Sequence, residues 1–196
     1  SFFDLKKFHL LGHSWGGLLA QIYAEKYSGN ILSLLLISPS SGTGEIWIKT
    51  ESEVMAYNRA HSGFREWSMM GIKSLFGMLG FDGAYRSLFK KVISNYNRDY
   101  DPSFTTGDEA VKNIRSIPIN KTRKQIIRYP LLKKFNECTF PVLIIYGKND
   151  IYGGSREYVK DRFPCAGLIE IENAGHLSWK QNKKEFGEIL RKFYLL

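Results

Sequence analysis

The hexapeptide Gly12-His13-Ser14-Trp15-Gly16-Gly17 stands directly between a wholly apolar run, Phe8 to Leu11, and a stretch with helical periodicity. In that stretch, Trp15 to Tyr27, the residues Leu18, Leu19, Ile22, Tyr23 and Ala24 recur at helical spacing before Ser28-Gly29-Asn30 closes the run. A strand that passes straight into a helix through Gly-x-Ser-x-Gly makes a nucleophile elbow: the strained turn lifts the Ser14 hydroxyl out of the sheet, and glycines on either side relieve close backbone contact. The helix N-terminus after Ser14 offers free amides and a positive dipole end to a developing oxyanion. The same spacing also describes a plain helix capped by serine. What decides between the two is the rest of the chain.

Working outward, Leu32 to Ile37 and Val142 to Tyr146 read as further short apolar strands, and Leu168 to Ile171 as a weaker fourth. Continuous rather than alternating hydrophobicity points to strands covered on both faces, as in a parallel sheet flanked by helices. Ser155 to Phe163 is expected to form a helix that stops at Pro164, and Lys183 to Tyr194 sets Phe186, Ile189, Leu190 and Phe193 along one side of another. The alternation predicts an α/β layer architecture. From Gly42 to about Glu137 the pattern changes to scattered glycines and many aromatics, with helix-like patches at Glu51 to Ala60 and Ser87 to Tyr96. Structureless connections beyond about 15 residues are uncommon in compact domains, so this stretch reads as a helical insertion that covers something. The predicted division is core over 1–41, cap insertion over 42–137, and core again over 138–196. Phe8 to Leu11 has the apolar character of a central strand, yet nothing before it supplies a neighbour, so earlier strands are expected to be missing.

A serine hydroxyl is a poor nucleophile until a histidine accepts its proton, and the histidine needs a carboxylate to fix its tautomer. Both follow in order. The strand Val142 to Tyr146 leads through Gly147-Lys148-Asn149 into Asp150, beyond the strand's C-terminal end, where ligands gather in such sheets. Glu172-Asn173-Ala174-Gly175-His176 then puts His176 on a loop at the same edge. Asp150 ahead of Tyr152-Gly153-Gly154 also suits a turn former, and His176 a surface histidine. Of the other histidines, His9 is expected to pack within its strand, His13 to support the elbow, and His61 to fall in the insertion.

Composition narrows the classes. With 196 residues, 43% hydrophobic, 24% charged and 14% aromatic, the chain is neither disordered, nor collagen-like, nor a coiled coil. No apolar run approaches the roughly 18 to 20 residues of a membrane span, and the opening Ser1-Phe2-Phe3-Asp4-Leu5-Lys6-Lys7 lacks the order of a secretory leader. Cys138 and Cys165 suggest neither a metal site nor a disulfide framework, so a reducing compartment, the cytoplasm, is expected, with no metal and no cofactor. Lys and Arg number 28 against 19 Asp and Glu, a net charge of +9. Part of it sits in Lys121, Arg123, Lys124, Arg128, Lys133 and Lys134, which read as a solvated helix face because Ile126, Ile127, Leu131 and Leu132 interleave as a buried side. No recognised module accompanies the charge, so nucleic acid is not an expected partner.

Taken together, Gly12-His13-Ser14-Trp15-Gly16-Gly17, the strand ending in Ile37-Ser38-Pro39, the Gly147-Lys148-Asn149-Asp150 turn and Asn173-Ala174-Gly175-His176 resemble the α/β-hydrolase superfamily. Ser38-Pro39 followed by Trp47 and a long helical cap is most similar to its proline iminopeptidase branch. The resemblance implies a serine hydrolase with Ser14, Asp150 and His176 as catalytic residues, the Trp15 backbone amide as an oxyanion donor, and an acyl-enzyme formed from a peptide amide or a small ester. It also implies earlier strands and a second oxyanion loop that this sequence lacks, so the segment alone is expected to be inactive. Serine at the elbow separates the chain from haloalkane dehalogenases and epoxide hydrolases, which require aspartate there. An aminopeptidase would need carboxylates for a free ammonium, for which Glu51, Glu53 and Glu66 are candidates; Trp47, Trp67, Met69, Met70 and Phe76 would equally suit an apolar acyl pocket. The competing reading is a non-catalytic member of the fold that docks an anionic partner on a basic cap.

Overall fold

Four apolar segments pair into one sheet in the computed structural model, which describes residues 5–195. They are β1 (Phe8–His13), β2 (Ile31–Ile37), β3 (Val142–Gly147) and β4 (Gly167–Ile171), all parallel and in the order β1-β2-β3-β4. Parallel neighbours need crossovers, and helices supply them. Helix α1 (Trp15–Tyr27) joins β1 to β2, a 3₁₀ turn (Gly154–Arg156) and α6 (Glu157–Arg162) join β3 to β4, and α7 (Ser178–Gln181) and α8 (Lys183–Tyr194) follow β4. Between β2 and β3 the chain runs through α2 (Gly44–Ala60), α3 (Phe64–Met78), α4 (Asp82–Asn97) and α5 (Ser116–Arg128).

Successive strand residues point to opposite faces, and the core divides accordingly. Leu34, Leu36, Val142 and Ile144 pack with Ala20 and Ala24 of α1 and Val159 of α6. Leu35, Ile37, Leu143 and Ile145 pack on the other face with Phe186 and Ile189 of α8. Both faces of β2 and β3 are therefore covered, which is why these strands read as unbroken apolar runs.

Several expectations change. Among the described residues β1 pairs with β2 alone, which leaves its other edge open and Leu11 51% exposed. His9 is not packed inside it but lies on its exposed face, with Nδ1 2.7 Å from Ser33 Oγ and its ring edge-on to Tyr194. The basic segment is helical only to Arg128; beyond it the chain turns through Pro130, while Ile126 and Leu132 are buried against Leu18 and Trp47. Cys138 and Cys165 form a disulfide with Cα atoms 6.1 Å apart, tying the approach to β3 to the approach to β4. That pairing removes the ground on which a reducing compartment was expected. No helix among the described residues is long and apolar enough to cross a membrane. The first four residues of the segment read for a leader lie outside the described residues.

Candidate active site

Ser14 sits where β1 stops and α1 starts, at φ 53°, ψ −122°, a conformation that L side chains rarely hold. The surroundings fix it: its N–H donates to the Ile37 carbonyl at 3.1 Å and its own carbonyl accepts from Ser40 N–H at 2.9 Å. The turn is tight enough that a Cβ on Gly12 would lie 2.5 Å from the Gly16 carbonyl oxygen and 2.7 Å from Gly17 Cα. Only glycine fits at position 12.

The carboxylate comes from the end of β3 and the imidazole from the loop after β4. The two loops are bound together: Lys148 N–H donates to Ile171 O at 2.9 Å and Asn149 N–H to Ala174 O at 3.0 Å. Asn173, at φ 51°, turns the second loop back, and Gly175 N–H is held by Gln181 Oε1 at 2.7 Å. In consequence His176 Nε2 lies 3.0 Å from Ser14 Oγ and His176 Nδ1 lies 3.0 Å from Asp150 Oδ1. All three residues singled out in the sequence, separated by up to 162 positions, therefore meet. Trp15 opens α1 immediately after the serine, with its ring 5.2 Å from that of Trp47.

Asp150 is fully enclosed, its side chain 0% exposed. Burial alone would raise its pKa, but the charge and hydrogen bond of His176, the Ser38 hydroxyl and the Tyr152 amide together hold it below the ordinary carboxylate value. The Ser38 Oγ donates to Asp150 Oδ2 at 2.5 Å from a backbone at φ 41° directly after β2. A carboxylate accepts only, so the Nδ1 facing Asp150 carries a proton and the Nε2 facing Ser14 is the free acceptor.

Further side chains close around the imidazole. His13 Nε2 donates to the His176 carbonyl at 3.0 Å; burial, then the charge of His176, depresses its pKa to about 4. Tyr96 of α4 and Tyr152 stand edge-on to the His176 ring at 5.1 and 5.2 Å. The Tyr152 hydroxyl lies 3.3 Å from Ser14 Oγ and 2.7 Å from Ser40 Oγ. In the sequence Ser38 enters only as part of the family resemblance, and Ser40, Tyr96 and Tyr152 are assigned no role. Ser38 and Ser40 flank the quoted Pro39 and Tyr152 follows Asp150 by two positions, so proximity to the motif was the only available signal. Tyr96, reached from another element, gave none.

The remaining candidates are engaged elsewhere. Glu51 is held bidentately by Arg123, Glu53 accepts from Gly153 N–H, Ser155 N–H and Ser155 Oγ, and Glu66 pairs with Lys91 and accepts from Gly63 N–H. Met69 and Phe76 are about half exposed on α3, whereas Met70 is buried. Among the described residues no group of three His, Cys, Asp or Glu is arranged to hold a metal ion.

Comparison with known proteins agrees with this fold. The family model of the alpha/beta hydrolase fold matches residues 3–182. The chain is 23% identical over 220 residues to a proline iminopeptidase of Lactobacillus crispatus, covering 96% of this chain and 66% of the relative. It is 26% identical over 203 residues to the human 1-acylglycerol-3-phosphate O-acyltransferase ABHD5, covering 94% and 56%. The chain thus spans less than two thirds of the length of either relative. Among solved structures, an epoxide hydrolase from Bacillus megaterium superposes with a TM-score of 0.62 at 15% identity, covering all of this chain and 72% of that one. A marine microorganism esterase superposes at 0.53 with 18% identity, covering 98% and 72%.

Proposed function

We propose, from the premise that the chain belongs to the alpha/beta hydrolase fold family, that it carries the nucleophile, base and acid of a serine hydrolase working through an acyl-enzyme. The observation that carries the reading is the continuous contact from Ser14 Oγ to His176 Nε2 and from His176 Nδ1 to Asp150 Oδ1, 3.0 Å at each link. Ser14 attacks the substrate carbonyl as its proton passes to His176 Nε2. Asp150, ionised and fully buried, keeps Nδ1–H in place and balances the imidazolium. The Trp15 amide, at the start of α1, faces the developing oxyanion. His176 then protonates the leaving group, and water enters to reverse the sequence and release the acid.

For the substrate, a carboxylic ester is the reading best supported. The relatives named proline iminopeptidases suggest an amino-terminal amide, but the three carboxylates expected to hold its ammonium are each occupied by partners of the chain itself. The helices α2 to α5 act as the cap, with Tyr96 reaching from α4 to the imidazole.

The test compares kcat/KM of the intact protein on short-chain p-nitrophenyl esters and on proline anilides, beside Ser14→Ala. Ester turnover should exceed that of the anilide, and Ser14→Ala should lower kcat by about 10⁴ or more. A preference for the anilide overturns the ester assignment; undiminished turnover in Ser14→Ala overturns the nucleophile.

A further inference from the structure

Proton counting around Ser14 reaches one residue beyond the three that carry the mechanism. Asp150 accepts only, so His176 donates through Nδ1 and accepts at Nε2, and the single Ser14 hydroxyl proton must point to Nε2. Ser14 Oγ can then only accept from the Tyr152 hydroxyl at 3.3 Å. When the Tyr152 proton points to Ser14, the contact of 2.7 Å to Ser40 has Ser40 as the donor. The result is a one-way chain, Ser40 to Tyr152 to Ser14 to His176 to Asp150. Tyr152 is only 4% exposed and Ser40 2%, so bulk water does not compete for these groups.

We propose that Tyr152 is a catalytic residue of this site, whose hydroxyl donates a hydrogen bond to Ser14 Oγ and acts chiefly in deacylation. The inference rests on the acyl-enzyme reading above. In acylation the Oγ–C bond forms, the bond from carbon to the leaving group breaks, and the Ser14 proton passes through His176 to that group. The Oγ of the resulting ester is a poorer acceptor, so the bond from Tyr152 weakens. In deacylation the oxygen of water bonds to carbon, the C–Oγ bond breaks, and the proton taken from water returns through His176 to Oγ. Charge builds on the departing Oγ as this happens, and the Tyr152 donor stabilises it. Tyr152 keeps its own proton throughout. Burial raises its pKa to about 12 despite the Ser14 and Ser40 contacts, so it remains a donor at neutral pH.

Because the hydrogen bond is stronger to free serine than to its ester, it favours the free enzyme over the acyl-enzyme. Removing it should therefore slow the second step and spare the first. The intact protein is pulsed with p-nitrophenyl acetate; p-nitrophenol release gives the acylation rate, and decay of the acetylated mass gives the deacylation rate. Tyr152→Phe should deacylate roughly three- to tenfold more slowly, the worth of one ordinary hydrogen bond, with acylation unchanged or faster. kcat and KM then fall together and kcat/KM is kept. Ser40→Ala, which keeps the backbone bond to Ser14 and removes only a hydroxyl bonded to Tyr152, should shift deacylation in the same direction by less, and it carries the test if Tyr152→Phe does not fold. Equal slowing of both steps in Tyr152→Phe indicates lost packing alone and overturns the proposal, as does an unchanged deacylation rate in either variant. A wild-type protein that never acquires the acetyl mass overturns instead the acyl-enzyme reading beneath it.

Discussion

Ser38 shows how a residue with no chemistry of its own shapes one that has it. Its hydroxyl satisfies Asp150 Oδ2 inside the protein, where an unmet carboxylate lone pair is costly. Ser38→Ala should lower stability by about 1–3 kcal/mol. It should also raise the Asp150 pKa, read by NMR titration of the carboxylate itself; an unmoved value would show that Ser38 does not tune the carboxylate. His13 offers a separate test. Its pKa falls from 6.5 in an unfolded chain to about 4 here, because burial and the neighbouring imidazole disfavour its charged form. Between those values the unfolded chain binds a proton that the folded chain refuses. Stability is thus full above pH 6.5 and declines as pH falls toward 4, by about 2–3 kcal/mol from this residue. His13→Gln should flatten that part of the curve in urea melts at stepped pH, and an unaltered slope would contradict the assignment.

At the scale of elements, the contacts that join α2 to the rest were invisible to periodicity. Glu53 looks like any helix-surface carboxylate in the sequence, yet it clasps the Gly153–Ser155 turn that follows Asp150. Glu53→Ala leaves two amides and a hydroxyl without their acceptor and should cost about 1–3 kcal/mol, read from chemical denaturation. The partly buried Glu51–Arg123 pair is worth about 1 kcal/mol, so Glu51→Ala should lower stability only slightly and leave the KM for a proline anilide nearly unchanged. A large rise in that KM would restore Glu51 as an ammonium ligand. The disulfide closes a loop across a separation of 27 residues, and reducing it should cost about 3 kcal/mol by the loop-closure argument; an identical melting temperature with and without reductant would contradict it. Strands and helices were legible because their hydrophobic periods report burial on one or two faces: α1 and α8 have the boundaries read from the sequence, and β2 and β3 agree to within one residue. Side-chain partners such as Glu53 with Ser155, or Cys138 with Cys165, depend on how loops return in three dimensions, and no local pattern encodes that.

Over the whole molecule, the parallel sheet explains why three distant side chains can meet. Parallel strands end on the same rim, so residues placed just past β1 and β3, and on the loop after β4, are delivered to one line. That much could be read from Ser14, Asp150 and His176 with their flanking strands. The polar support beneath them, Ser38, Ser40 and Tyr152, could not, because hydroxyls at loop positions carry no period. The central claim is that Ser14 is a nucleophile activated by His176, and covalent labelling tests it most directly. The intact protein is treated with a fluorophosphonate and the adduct is mapped by peptide mass. One label per chain on Ser14, abolished in Ser14→Ala and slowed at least a hundredfold in His176→Ala, is the predicted result; no adduct at Ser14, or equal labelling in the His176 variant, would contradict it.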